Sequence, residues 1–320
     1  MTAAVVLLAY AAFVGTLGAA WLRRANWPER APRLAILTWQ ALAWSVLASV
    51  VLAGLVLAVP VGMLSGDLAG LLQTCVMLLR EQYSTPGGAV VSTAGLLAAL
   101  GVAARFAYCL AASALTSRAG RARHREQLAL VGRSDDRLDA IILDHAVCAA
   151  YCVPGRRGRV VLTTATLEAL DTDQIAAVLA HERAHLRGRH HLVVSSMSSL
   201  RRAFPFVPAF AWAADEVARL TEMVADDAAA VRAGGDRLTL ATALVRLAEG
   251  ATPVGALGAG GSSAVARVRR LARPAPALGV RARVCALTGI AILGVVPIMV
   301  SAAPALAVAS SAYCPISLHS

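Results

Sequence analysis

Two imidazoles and a carboxylate raise the first chemical question. His181-Glu182-Arg183-Ala184-His185 sets two histidines four residues apart with a glutamate beside the first. On an α-helix, residues i and i+4 share one face, so both rings can hold one zinc ion. Glu182 stands beside them as the carboxylate that takes a proton from water, whose pKa zinc lowers to about 7. A catalytic zinc needs a third protein ligand. Residues 214–233 supply one: Glu222 and Asp226 are again i and i+4. Glu222 reads as the third ligand of one Zn2+ ion, and Asp226 as the acceptor for the free ring N–H of a ligating histidine. Glu216 and Asp227 are rival carboxylates, but neither is paired in this way.

These residues need two helices to hold them. Asp171 followed by Gln174 is a capping-box pattern. It predicts a helix running through about Leu186, which Gly188 can end. Ile175, Val178, Leu179 and Leu186 form its apolar stripe. Gly234-Gly235 ends the second helix. Upstream, residues 138–153 read as one or two strands, residues 154–158 as a turn, and Val160–Thr164 as a further strand, which together make a hairpin. His145 belongs to a strand or turn. His190 and His191 are expected at the surface beside the membrane. The aromatic run 203–212 suits lipid contact, a substrate cleft or the core equally. The Gly-rich stretch 251–263 is a loop without a phosphate-binding motif.

The composition explains where such a site would operate. The 320 residues are 58% hydrophobic and 15% charged, and mean hydropathy is +0.65. Soluble domains are closer to about 45–50% apolar and about 25% charged. Four segments reach the roughly 20 apolar residues of a membrane span: 2–22, 34–59, 88–115 and 284–309. Arg105 inside the third is expected to face protein, and Pro297 and Pro304 to kink or end the fourth. The predicted fold is mainly α and membrane-bound. Four transmembrane helices carry a cytoplasmic α+β zincin-like peptidase domain between spans three and four. The expected domains are 1–116 (three spans with outer loop 60–87), 117–283 (peptidase), 284–309 (fourth span) and 310–320 (short outer tail).

Charge sets the orientation. Net charge is +11, and every Lys-or-Arg position is Arg. Arg23, Arg24, Arg30 and Arg33 crowd the first loop, which the positive-inside rule assigns to the cytoplasm. The peptidase domain then lies inside and both termini outside a bacterial cytoplasmic (inner) membrane. Residues 68–79 are too short to cross and read as an interfacial or re-entrant helix. Arg267, Arg269, Arg270, Arg273, Arg281 and Arg283 are expected to anchor span four at the anionic inner leaflet, so the bilayer is a partner and nucleic acid is not. Cys75 and Cys314 both fall outside, where a disulfide can persist. A bridge between them and two free thiols are the competing expectations. Cys148 and Cys152 should stay reduced.

With these motifs in place, the chain resembles the integral-membrane gluzincins of the BlaR/MecR antirepressor peptidase type, and more distantly the HtpX-type membrane proteases. The resemblance rests on H-E-R-A-H at 181–185, E-M-V-A-D at 222–226, and the strand–turn–strand leading into L-T-T-A-T-L-E-A-L at 162–170. It implies zinc ligands at His181, His185 and Glu222, and Glu182 as general base and acid. It also implies a protein substrate that pairs as an added strand. Residues 147–153 are the candidate edge for that pairing, with Cys148, Ala149, Ala150, Tyr151 and Cys152 at its centre. The antibiotic-sensing relatives carry an outer penicillin-binding domain after the last span, whereas here residues 310–320 follow it. The trigger is therefore expected to act through the outer loop, the spans or a partner. Three functions remain in view: regulated cleavage of a substrate such as a transcriptional repressor, quality control of membrane proteins, and a non-catalytic receptor built on a peptidase fold.

Overall fold

The computed structural model describes residues 1–58, 86–155, 158–232, 234, 236–251, 261–273 and 276–311. Cys75 and Cys314, the segment 68–79, most of the expected outer loop and the last nine residues lie outside that set.

Among the described residues, four helices are long and apolar enough to cross a membrane: Thr2–Arg24, Pro32–Ala58, Gly87–Val131 and Val280–Pro304. They fall within helices α1 (Thr2–Arg24), α2 (Pro32–Ala58), α3 (Pro86–Val131) and α10 (Val280–Ser311). α2 and α3 approach closely at two glycines. A Cβ on Gly54 would stand 2.5 Å from the Gly95 carbonyl oxygen, so only glycine permits this crossing.

The third span runs on into the Arg-rich segment 117–137, which the sequence reads as a helix leaving the membrane, and the two form one continuous helix that stops at Val131, short of 137. Its Ala, Arg, Gln and Leu residues are good helix formers and nothing between them is a strong breaker. The helix ends at Gly132, where a Cβ would meet Leu128 O at 2.6 Å. Pro297 and Pro304 do not end the last helix, which runs through both. An apolar helix can accommodate the lost hydrogen bonds locally.

Between α3 and α10 lies a four-stranded sheet of order β1-β2-β4-β3. Its strands are β1 (Gly132–Asp135), β2 (Ala140–Leu143), β3 (Ala150–Val153) and β4 (Arg159–Thr163). β2 and β4 are parallel, and the outer pairs are antiparallel. β3 is thus an edge strand, and Cys148 and Ala149 precede it. β1 was not expected, because Gly-Arg-Ser-Asp has no intrinsic strand preference; pairing with β2 makes it a strand. Thr164 starts helix α4 (Thr164–Ala169) instead of ending a strand, with the Thr163 hydroxyl accepting from Thr166 N as its cap.

Among the described residues, α5 (Thr172–Arg187), α6 (His190–Ala203), α7 (Pro208–Arg232), α8 (Arg237–Ala251) and α9 (Gly261–Ala272) follow before α10. The capping box of α5 is complete: Gln174 N donates to Asp171 Oδ1 at 2.9 Å, and Asp171 N to Gln174 Oε1 at 3.3 Å. The inner face of the sheet packs on this helix through Ile142, Val160, Leu162, Val178 and Leu179.

The largest core does not stop at a domain boundary. Trp39, Leu42 and Val46 of α2 pack with Met197, Leu200, Phe210 and Val217 of α6 and α7. Phe204 and Phe210 of the aromatic run are buried in it, whereas Phe206 is exposed. Arg105 turns toward protein, its Nε donating to Ala203 O at 2.5 Å, and Arg202 bonds the Ser113 hydroxyl. The helices that carry the site are therefore bolted directly to the spans.

Candidate metal centre

α5 and α7 lie side by side and turn their polar i, i+4 pairs toward each other. His181 Nε2 is 3.5 Å from Glu222 Oε2 and His185 Nε2 is 3.4 Å from Glu222 Oε1. The two Nε2 atoms are 3.1 Å apart. Among the described residues, these three side chains form the one His/Cys/Asp/Glu group able to hold an ion, with ligand atoms all within 4.8 Å of one another. Tetrahedral ligands at roughly 2.0–2.2 Å from zinc stand about 3.3–3.6 Å apart. The observed spacing and the N, N, O donor set fit that ion.

Asp226 is 1% exposed, and its Oδ1 lies 3.0 Å from His181 Nδ1. The rival carboxylates point elsewhere. Glu216 is held by Arg219 at 2.8 Å, and Asp227 by Arg237 and Arg270 at 3.1 and 2.8 Å. Helical rotation explains the split, since 216 and 227 are out of phase with the 222/226 face. His145 is an exposed turn residue whose Nδ1 accepts from Val147 N.

Residues 115–284, more than half of the chain, match the family model of Peptidase family M48. The chain belongs to peptidase family M48. No curated protein and no solved structure matches it. As a member of M48 it is a zinc metalloendopeptidase, and the His181, His185 and Glu222 cluster fits its zinc.

The electrostatics of this M48 site are those of a cation site. Burial opposes charge on His181, yet the Asp226 and Glu222 carboxylates outweigh it and raise its pKa to about 9. Burial likewise opposes a charged Glu222, but hydrogen bonds from His181 and His185 hold it well below the usual carboxylate range. Asp226 is lowered too, with His181 and Arg267 overcoming its burial. The buried Asp226 and the half-buried Glu222 thus stay ionised because positive charge is supplied beside them.

Glu182 lines the same cavity of about 410 Å³ as His181, His185 and Glu222. Burial raises its pKa, against the pull of His181 and His185, which suits a group that must both take and return a proton. Across the cavity stand Ala150, Tyr151 and Cys152 of the edge strand β3. Cys152 shares a hydrogen bond with Glu182; burial, with Glu182 adding to it, pushes the thiol up to about 12.

Three residues here escaped the sequence. Arg267, expected at the membrane surface, comes from α9 into the site. Its Nε and Nη2 bond both oxygens of Asp226 at 3.0 and 2.5 Å, and Nη1 is 3.2 Å from Glu222 Oε2. Arg270 also turns inward, to Asp227. His190, expected at the surface, is buried with Nδ1 3.0 Å from His185 Nδ1. Burial first, then His185, lowers its pKa to about 4, so a neutral His190 can accept the ring N–H of His185. The signal lay in Gly188-Arg189. Gly188 ends α5, Arg189 adopts a left-handed φ of 48°, and α6 turns back at once.

Proposed function

We propose that this M48 peptidase is a multi-pass membrane endopeptidase that cuts a protein substrate at the cytoplasmic face, in regulated signalling of the BlaR/MecR antirepressor kind. One observation carries the reading: the edge strand β3 and the His181, Glu182, His185 and Glu222 cluster line one cavity. A substrate strand added along β3 gains main-chain hydrogen bonds and lies across the cavity.

In this reading His181, His185 and Glu222 hold zinc, and Asp226 and His190 fix the two imidazole rings through their outer nitrogens. When bound, zinc supplies Lewis acidity toward the scissile carbonyl and the attacking water. Glu182 accepts the proton from that water and delivers it to the leaving amine. Arg267 keeps the Asp226 and Glu222 carboxylates in register. Residues 117–283 act inside the cell, and the Arg-rich first loop fixes that orientation. Direct contact with nucleic acid plays no part.

The test is a comparison of cellular proteins between wild type and Glu182→Gln. A transcriptional repressor that survives only in the variant supports signalling. General accumulation of membrane-protein fragments reassigns the enzyme to quality control. Identical protein profiles overturn both.

A further inference from the structure

Away from the zinc site, the charge is unbalanced in one place. A cavity of about 820 Å³ opens between α2, α7 and the start of α10, and Arg30, Arg33, Arg187, Arg232 and Arg283 all reach it. Its one carboxylate among the described residues, Asp227, is already held by Arg237 and Arg270. None of the five arginines has an ion-pair partner among the described residues. Gathered guanidinium groups repel one another. Such a cavity is complementary to an anion with several acceptor oxygens, and arginine forks match phosphate.

Its location narrows the ligand. Arg33 is the last charge before the uncharged run 34–58, and Arg283 the last before the uncharged run 284–311. Leu34 and Leu287 line the same cavity. The arginines therefore sit where two apolar helices begin, which is where phosphate headgroups lie. A second cavity, of about 510 Å³, shares Arg33, Arg187, Val224 and Ala228 with the first. It continues along α2 past Ile36 and Leu37 to Val193. Gln40, His190 and Thr221 also line it, among mostly aliphatic neighbours, so it offers an apolar stretch that a free phosphate ion does not need and a phospholipid does.

We propose that the two cavities form one binding site for an anionic phospholipid, its phosphate seated among the five arginines and its glycerol and upper acyl chain in the groove along α2. The bound phosphate has a structural consequence. Arg187 is the last residue of α5 and Arg232 the last of α7. One headgroup therefore joins the ends of the two helices that carry His181, His185, Glu222 and Asp226. The site stands independently of the substrate assigned above.

The experiment uses the full-length protein, delipidated in a neutral detergent. Native mass spectrometry and thermal melting are followed on addition of phosphatidylglycerol, phosphatidylcholine, inorganic phosphate or a poly-glutamate peptide. Wild type is expected to retain phosphatidylglycerol and gain thermal stability from it, with little response to the other three. Arg33→Gln/Arg283→Gln should bind it roughly 10- to 30-fold more weakly. Arg33→Lys/Arg283→Lys should recover part of the loss, and Arg123→Gln/Arg137→Gln, which removes equal charge elsewhere, should lose nothing. Matching melting curves of all variants in phosphatidylcholine exclude misfolding as the cause. Equal retention of the two lipids, or equal loss in the control pair, overturns the proposal. Saturation by inorganic phosphate alone makes it a soluble-anion site, and preference for poly-glutamate makes it a peptide site; either result also overturns the lipid assignment.

Discussion

Helices α5 and α7 present charge twice, to opposite effect. In the middle of the pair, His181, Glu222, Asp226 and Arg267 alternate in sign and satisfy one another over 2.5–3.5 Å. At their ends, Arg187 and Arg232 face further arginines across a cavity. The first cluster is closed, and its carboxylates are held ionised to receive one cation. The second is open and needs an anion from outside. The same two helices thus carry a metal centre and a membrane-facing anion site, distinguished by whether opposite charge is built in or left to a ligand.

Substitutions in each cluster should separate the two by their cost. The largest effect on stability is expected from Arg267→Ala. It leaves the buried Asp226 carboxylate with His181 as its one remaining partner, and losing one partner of a buried ion pair costs up to about 3–5 kcal/mol. A lowered denaturant midpoint checks this. A midpoint unchanged from wild type would mean that Arg267 is incidental to the site. His190→Ala comes next. It removes the partner of His185 Nδ1 and should weaken zinc binding by about 10- to 100-fold with little change in fold. Competition with a fluorescent chelator reads this directly, and unaltered affinity would reduce His190 to packing. The smallest effect belongs to the open cluster. Arg232→Gln removes one of several like charges and should leave the midpoint within about 0.5 kcal/mol of wild type in neutral detergent. A loss as large as that of Arg267→Ala would erase the distinction between the two clusters.

What could be read from the chain alone follows the same division. Interactions local to a helix were legible. The i, i+4 spacing of 181/185 and 222/226, the Asp171–Gln174 cap and the apolar runs of four spans all act within one element. Elements defined by a partner were not. β1 has no strand-forming residues and exists through its pairing with β2. Arg267 lies 41 residues from Asp226, and its basic neighbourhood resembles a membrane anchor. His190 reads as a surface residue until the Arg189 corner folds α6 back onto α5. The Arg-rich segment 117–137 reads as helical from its residues, but where that helix stops, at Val131, was not legible, because the following strand exists only through its pairing. Cys75 and Cys314 lie outside the described residues, so their pairing stays an expectation.

The central claim is that one zinc ion sits on His181, His185 and Glu222, with Glu182 beside it as base and not ligand. Purified Glu182→Gln tests it most directly, with zinc content and peptide hydrolysis measured on the same sample and Glu222→Ala alongside. The account predicts one equivalent of zinc and hydrolysis lowered by roughly 100-fold or more in Glu182→Gln, and loss of both zinc and hydrolysis in Glu222→Ala. Wild-type hydrolysis in Glu182→Gln, or full zinc content in Glu222→Ala, would contradict it.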